Sequence, residues 1–138
     1  MMNRNRSILI ALGLFWFGMG YTNLVHALAL GKVDVQSTLN ERLKAEIKLY
    51  SVPKDKVDDI RVILGSSKAF QRAKVARPFY LTRLIFKVKT KKNGDPFILI
   101  SSRQAIKEPI IDLILEVGWL TGRTQKRYTM LIDPGYVQ

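Results

Sequence analysis

Residues 43–50 constrain the fold of this chain more than any other stretch. Leu43, Ala45, Ile47 and Leu49 alternate with Lys44, Glu46, Lys48 and Tyr50. A period of two places the apolar set on one face of a strand and the polar set on the other. Such a strand is stable only if a second layer covers its apolar face. The neighbouring segments carry the same signature. Val33 and Val35 alternate with Lys32, Asp34 and Gln36, and Ser37-Thr38-Leu39-Asn40 reads as the turn between the two. Val52-Pro53-Lys54-Asp55 stops the second strand, and Ile60 to Leu64 forms a third apolar run. Ser66 or Ser67 can cap a short helix through about Lys74, with Ala69, Phe70 and Ala73 on one side and Arg77-Pro78 ending it.

The second half repeats the pattern. Leu84, Phe86 and Val88 face one way, Lys87 and Lys89 the other. Asn93-Gly94 predicts a type I′ hairpin turn, with positive φ at both residues. Phe97 to Ile100 is the returning strand, and Pro96 is tolerable there only at a strand end or edge. Asp112 to Trp119 and Arg127 to Asp133 form a last pair, joined by Leu120-Thr121-Gly122-Arg123. Leu113, Leu115, Val117 and Trp119 share one face of it; Asp112, Ile114 and Glu116 share the other. About seven short strands and one short helix predict a mainly β fold, an antiparallel Ig-like β-sandwich. Gly135 to Gln138 reads as a tail.

The start of the chain is of another kind. Arg4 and Arg6 flank an uncharged apolar run from Ile8 to Phe17, and small residues follow at Ala27 and Ala29. This is the layout of a secretory signal peptide over residues 1–27, with cleavage after Ala27 or Ala29 and a domain over 28–134. An uncleaved inner-membrane anchor through residues 8–30 is the alternative, and the strong run is short for it, since a span takes about twenty residues. The expected location is the bacterial periplasm.

Export narrows the chemistry. The chain has no cysteine, and its one histidine, His26, lies in the leader. Without them the domain lacks Ser-His-Asp and Cys-His catalysis and the usual zinc ligands. No cofactor is expected. A histidine-free hydrolase would need a cleft holding a perturbed carboxylate or lysine, which a sequence does not display. Asp112 and Glu116 share a strand face but stand roughly 13 Å apart by the strand rise, beyond the spacing of paired catalytic carboxylates. They read as a solvated face. Asp55, Asp58 and Asp59 cluster without the ligand count of a calcium loop.

Charge is the remaining signal. The chain has 23 basic and 11 acidic residues; removing Arg4 and Arg6 leaves 21 against 11, a net +10. Lys87, Lys89, Lys91 and Lys92 form one basic ridge, Arg123, Lys126 and Arg127 a second, and Arg72, Lys74, Arg77 and Arg83 a third. The first two are candidate contacts for an anion or an acidic partner. The competing reading is that edge lysines only block unwanted strand addition. Lipid headgroups, lipopolysaccharide, cell-wall polymer or an acidic protein face are the anions available outside the cytoplasm. Export argues against nucleic acid. Trp119, Phe86 and Phe97 read as core residues, so no stacking platform for bases is evident.

Four ordered blocks carry a resemblance: Leu28 to Leu49, Val62 to Ala73, Arg77 to Val88, and Ser102 to Trp119 followed by Gly122-Arg123 and Tyr128 to Pro134. Together they resemble the N-terminal domain of the FimV family of bacterial pilus-assembly and cell-pole proteins. Gly31, Ser37, Leu39, Asn40, Leu43, Ala45 and Ile47 stand at the family's places, while Arg42 replaces its usual proline. The resemblance implies a non-catalytic, scaffold-like periplasmic domain that contacts envelope or pilus-assembly proteins in type IV pilus assembly or twitching motility. It implies no catalytic residue. Family members continue into a cell-wall-binding module, a membrane span and a cytoplasmic repeat region, so wall binding and pole marking do not carry over. The second function class is a basic anion-binding module for lipopolysaccharide, cell-wall polymer or DNA.

Overall fold

The computed structural model describes residues 28–135. Residues 1–27, which hold the predicted leader and Ala27, and residues 136–138 of the predicted tail lie outside the described residues. Seven strands form two antiparallel sheets. β1 (Ala29–Val35), β2 (Arg42–Tyr50), β4 (Leu84–Thr90) and β5 (Pro96–Ala105) make the first, in the order β1-β2-β5-β4. β3 (Arg61–Leu64), β6 (Ile110–Trp119) and β7 (Gly122–Leu131) make the second, in the order β3-β6-β7. One helix, α1 (Ser67–Arg72), and two 3-10 turns, Lys54–Asp59 and Phe79–Arg83, complete the described chain. The Ig-like sandwich predicted from alternation is the fold observed.

The core lies between the sheets. Ala45, Ile47, Ile98 and Ile100 from the first meet Leu113, Leu115, Val117 and Met130 from the second, all with no exposure. Phe70 of α1 and Leu81 of the second 3-10 turn join the same cluster. Truncating a side chain in such a core costs about 2–5 kcal/mol, because the lost burial is compounded by the cavity left behind.

Several local expectations are corrected. The hairpin at Asn93-Gly94 is not type I′. Gly94 has φ 93, but Asn93 does not enter the left-handed region. Gly94 N–H donates to Lys91 O at 2.9 Å and Lys91 N–H donates to Asp95 O at 2.9 Å, so the loop is a three-residue form closed by a left-handed glycine. Asn93 Oδ1 accepts from Asp95 N–H at 3.0 Å. That side-chain turn holds Asn93 without a positive φ.

The helix starts as predicted, with Ser66 Oγ accepting from Ala69 N–H at 3.2 Å, but it ends early. Lys74 takes φ 55, Val75 N–H donates to Phe70 O at 3.0 Å and Lys74 N–H to Gln71 O at 3.1 Å. This is a Schellman stop, and it leaves Ala73 exposed rather than on the buried side with Ala69 and Phe70. The last hairpin is longer than predicted. Ten residue pairs run from Ile110↔Leu131 to Trp119↔Gly122, and only Leu120-Thr121 turn the corner. Gly122 to Lys126 carries no apolar alternation, so pairing with β6 rather than burial makes it a strand. Ile114, expected on the solvated face, is 4% exposed because Gly65 sits against it, its N–H donating to Ile114 O at 2.7 Å. Trp119 is half-buried and outside the core cluster.

Candidate functional site

The register of the first sheet assembles a basic face that the linear order conceals. On the side away from the core, Lys89 of β4 lies beside Phe97 of β5, which lies beside Lys48 of β2. The next row runs Lys87, Leu99, Glu46, Asp34 across β4, β5, β2 and β1. Lys44 follows on β2 opposite Ser101, and Lys32 precedes Val33 on β1. Lys32, Lys44, Lys48, Lys87 and Lys89 are exposed, and the acids among them are Asp34 and Glu46. Lys32, Lys44 and Lys48 were read only as the polar half of a strand pattern. Their alternation was the available signal, and strand pairing was needed to place them beside the β4 lysines.

Phe97 is corrected by the same register. It is 8% exposed yet outside the core cluster, buried on the outer face. Lys91 Nζ lies 5.5 Å from its ring centroid and 3.4 Å from Glu46 Oε2. A cation over an aromatic face is attracted by the ring quadrupole, and the lysine stem shields the ring from water. Covered in this way, Phe97 offers no platform for stacking. Phe86, also read as core, is half-buried and packs against the core cluster.

The two basic ridges come apart and recombine. Arg123 and Arg127 project from the outer face of the other sheet, and both meet carboxylates there. Arg127 Nε donates to Asp112 Oδ1 at 2.9 Å, with a second, closer contact between Nη2 and Oδ2. Thr129 Oγ1 donates to Asp112 at 3.1 Å. Arg127 beside it holds the Asp112 carboxyl below its ordinary range. Glu116 accepts from Gln125 at 2.8 Å and stands 3.9 Å from Arg123. Lys126 leaves this group: its Nζ donates to Leu30 O at 3.2 Å and lies 5.2 Å from the Tyr128 ring centroid. It thereby joins Lys91, Lys32 and Lys48 around a concavity of about 570 Å³ at the β1–β7 side. Lys87 and Lys89 stay on β4, and Lys92 on the exposed hairpin. In the third group, Arg77 lies 5.6 Å from the Phe70 ring centroid and Arg83 5.4 Å from that of Phe79.

Tyr128 fastens this side of the sandwich. Its hydroxyl donates to Gly31 O at 2.9 Å, where the β1–β2 register shifts between Leu30 and Val33. Burial pushes the Tyr128 phenol up to about 12. Tyr80 is also raised, by burial first and then by Glu108 and Asp112. It lines a concavity of about 620 Å³ between the start of β4 and the end of β5. Among the described residues no three metal-ligating side chains come together, and no helix is long and apolar enough to cross a membrane.

Two packed antiparallel sheets with an alternating core define the class: an Ig-like domain. The chain matches the FimV N-terminal domain over residues 28–135 and belongs to that family. It is 35% identical over 113 residues to the "Motility hub protein FimV" of Pseudomonas aeruginosa, in both strain PAO1 and strain UCBPP-PA14. The match covers 82% of this chain and 12% of each relative, so the chain spans about an eighth of the length of the curated relatives it matches. No solved structure matches it.

Proposed function

We propose that this domain is a non-catalytic interaction module of the bacterial envelope, serving type IV pilus assembly or twitching motility from the periplasm. The observation that carries the reading is the lysine face of the first sheet, on a domain whose relatives are named motility hub proteins. Its partners are envelope or pilus-assembly proteins presenting acidic surface. Positive potential steers such partners and selects among them more than it adds raw affinity.

The domain reaches the periplasm through its leader. Ala29 pairs with Tyr50 in β1, so cleavage after Ala27 keeps that pair, whereas cleavage after Ala29 removes it. Deleting the gene should abolish twitching and impair assembly of the pilus secretin. A complementing copy with Lys44, Lys48, Lys87 and Lys89 changed to Glu should not restore either. Normal twitching and secretin assembly in the deletion strain would remove the pilus reading. A full chain found in the cytosol with its leader attached would remove the periplasmic one.

The concavity lined by Lys32, Lys48, Lys91 and Lys126, four cations against Asp34 and Glu46, favours a second reading, a site for the anionic groups of lipopolysaccharide or cell-wall polymer. Such binding weakens steeply with added salt, because exposed charges are screened within about 10 Å at 0.1 M. Binding that ignores salt would reject it.

A further inference from the structure

The two sides of the sandwich are closed differently. On one, Tyr128 and Lys126 tie β7 to the backbone of β1. On the other, no backbone hydrogen bond joins β3 to β4 among the described residues. A concavity of about 470 Å³ lies there instead. Val62, Phe86 and Val88 line it and are only half-buried, although all three pack against the core. β4 pairs through all seven of its residues with β5, on that side alone. Its other edge presents backbone N–H and C=O groups that no strand takes up.

We propose that this open edge binds an extended segment of a partner protein as an added strand beside β4, and that the segment alternates acidic with apolar residues. The alternation follows from β4 itself. Lys87 and Lys89 stand on the outer face, so residues beside them in an added strand meet two ammonium groups. The residues between point the other way, over Phe86 and Val88, and apolar side chains there would complete a burial that β3 leaves unfinished. Main-chain bonds supply affinity in strand addition, and alternate side chains supply specificity. Arg61 adds positive charge to the rim, its Nη1 held by Asp58 O at 2.8 Å, and Asp58 is the acid lining the concavity. A second copy of this chain fits poorly. Antiparallel β4 against β4 would crowd Lys87 and Lys89 against their own images, and facing like charges destabilise a strand pair. The same lysines that repel self-association admit an acidic strand.

This inference rests on reading the domain as an interaction module, and it names the edge and the partner's chemistry. The test is fluorescence anisotropy on the full chain with labelled seven-residue peptides: alternating Glu and Val, alternating Lys and Val, and the Glu-Val peptide N-methylated at every second residue. Only the unmethylated acidic peptide should bind. The double substitution K87E/K89E should weaken it by at least about tenfold, since two attractive cross-strand pairs become repulsive. K68E/R72E, with the same charge change on the exposed side of α1, should bind nearly as the parent does, and circular dichroism melting should show both variants folded. Equal binding of the N-methylated peptide would overturn strand addition and leave charge-driven docking, with the motility reading intact. Failure of the acidic peptide to bind, or equal binding of the basic one, would also overturn it. So would sedimentation showing a dimer lost in K87E/K89E.

Discussion

Tyr128 shows how one side chain can hold a fold without being legible in the chain. In sequence it stands beside Arg127, one of three residues read as an anion contact. Its partner is the carbonyl of Gly31, 97 residues away, and nothing local announces that bond. Gly31 is suited to the place: a Cβ there would stand 2.9 Å from the Tyr50 ring and 3.2 Å from Lys48 O. Tyr128→Phe keeps the buried ring and loses the hydrogen bond. It should cost about 1 kcal/mol, read as a lower urea midpoint at unchanged slope. The same residue sets an alkaline limit. Burial favours the neutral phenol, so the folded protein keeps this proton to higher pH than the unfolded chain. That stabilisation is complete below the ordinary value of 10.0 and is lost as pH rises toward about 12. In Tyr128→Phe the fall in stability between those values should flatten. An unchanged alkaline slope would mean that another group sets it.

At the level of elements, five described residues are left-handed, and two of them, Gly94 and Lys74, contrast in how far the sequence advertised them. Gly94 was visible as the second residue of Asn93-Gly94, and a turn is there, though of a different form. Lys74 was not visible, because a helix stop of this kind ordinarily uses glycine and here a lysine stands at φ 55. Its backbone is set by the bonds from Val75 and Lys74 to the last turn of α1. The two positions should respond oppositely to substitution. Gly94→Ala forces a Cβ into the left-handed region and should destabilise by roughly 1–2 kcal/mol. Lys74→Gly removes that cost and should stabilise, by less than about 1 kcal/mol because glycine also loosens the unfolded chain. Chemical denaturation of both variants checks the pair, and a destabilised Lys74→Gly would refute the argument.

Over the whole molecule, charge and fold separate. The lysines of the first sheet lie outside the core, and Lys44, Lys48, Lys87 and Lys89 are all exposed. Replacing these four by Gln should leave the urea midpoint within error of the parent, since surface changes away from caps and networks are usually small. It should at the same time reduce salt-sensitive binding to an acidic envelope partner. A large loss of stability would show that the face is structural. Arg123 and Arg127 belong to a different surface, paired with Glu116 and Asp112 across the last hairpin. Substituting them should alter that hairpin more than any docking.

The chain alone determined the class of fold, because alternation is a local property: each strand reports its own buried face through a period of two. It determined the absence of cysteine and the net positive charge. What lies beside what depended on tertiary structure. Sheet order β1-β2-β5-β4 put Lys48 and Lys89 on either side of Phe97, turned that ring outward under Lys91, and separated Lys126 from its neighbours in sequence. Pairing register joins residues dozens of positions apart, and no local pattern encodes it, because the energy that selects it comes from burying all the apolar faces against one another at once.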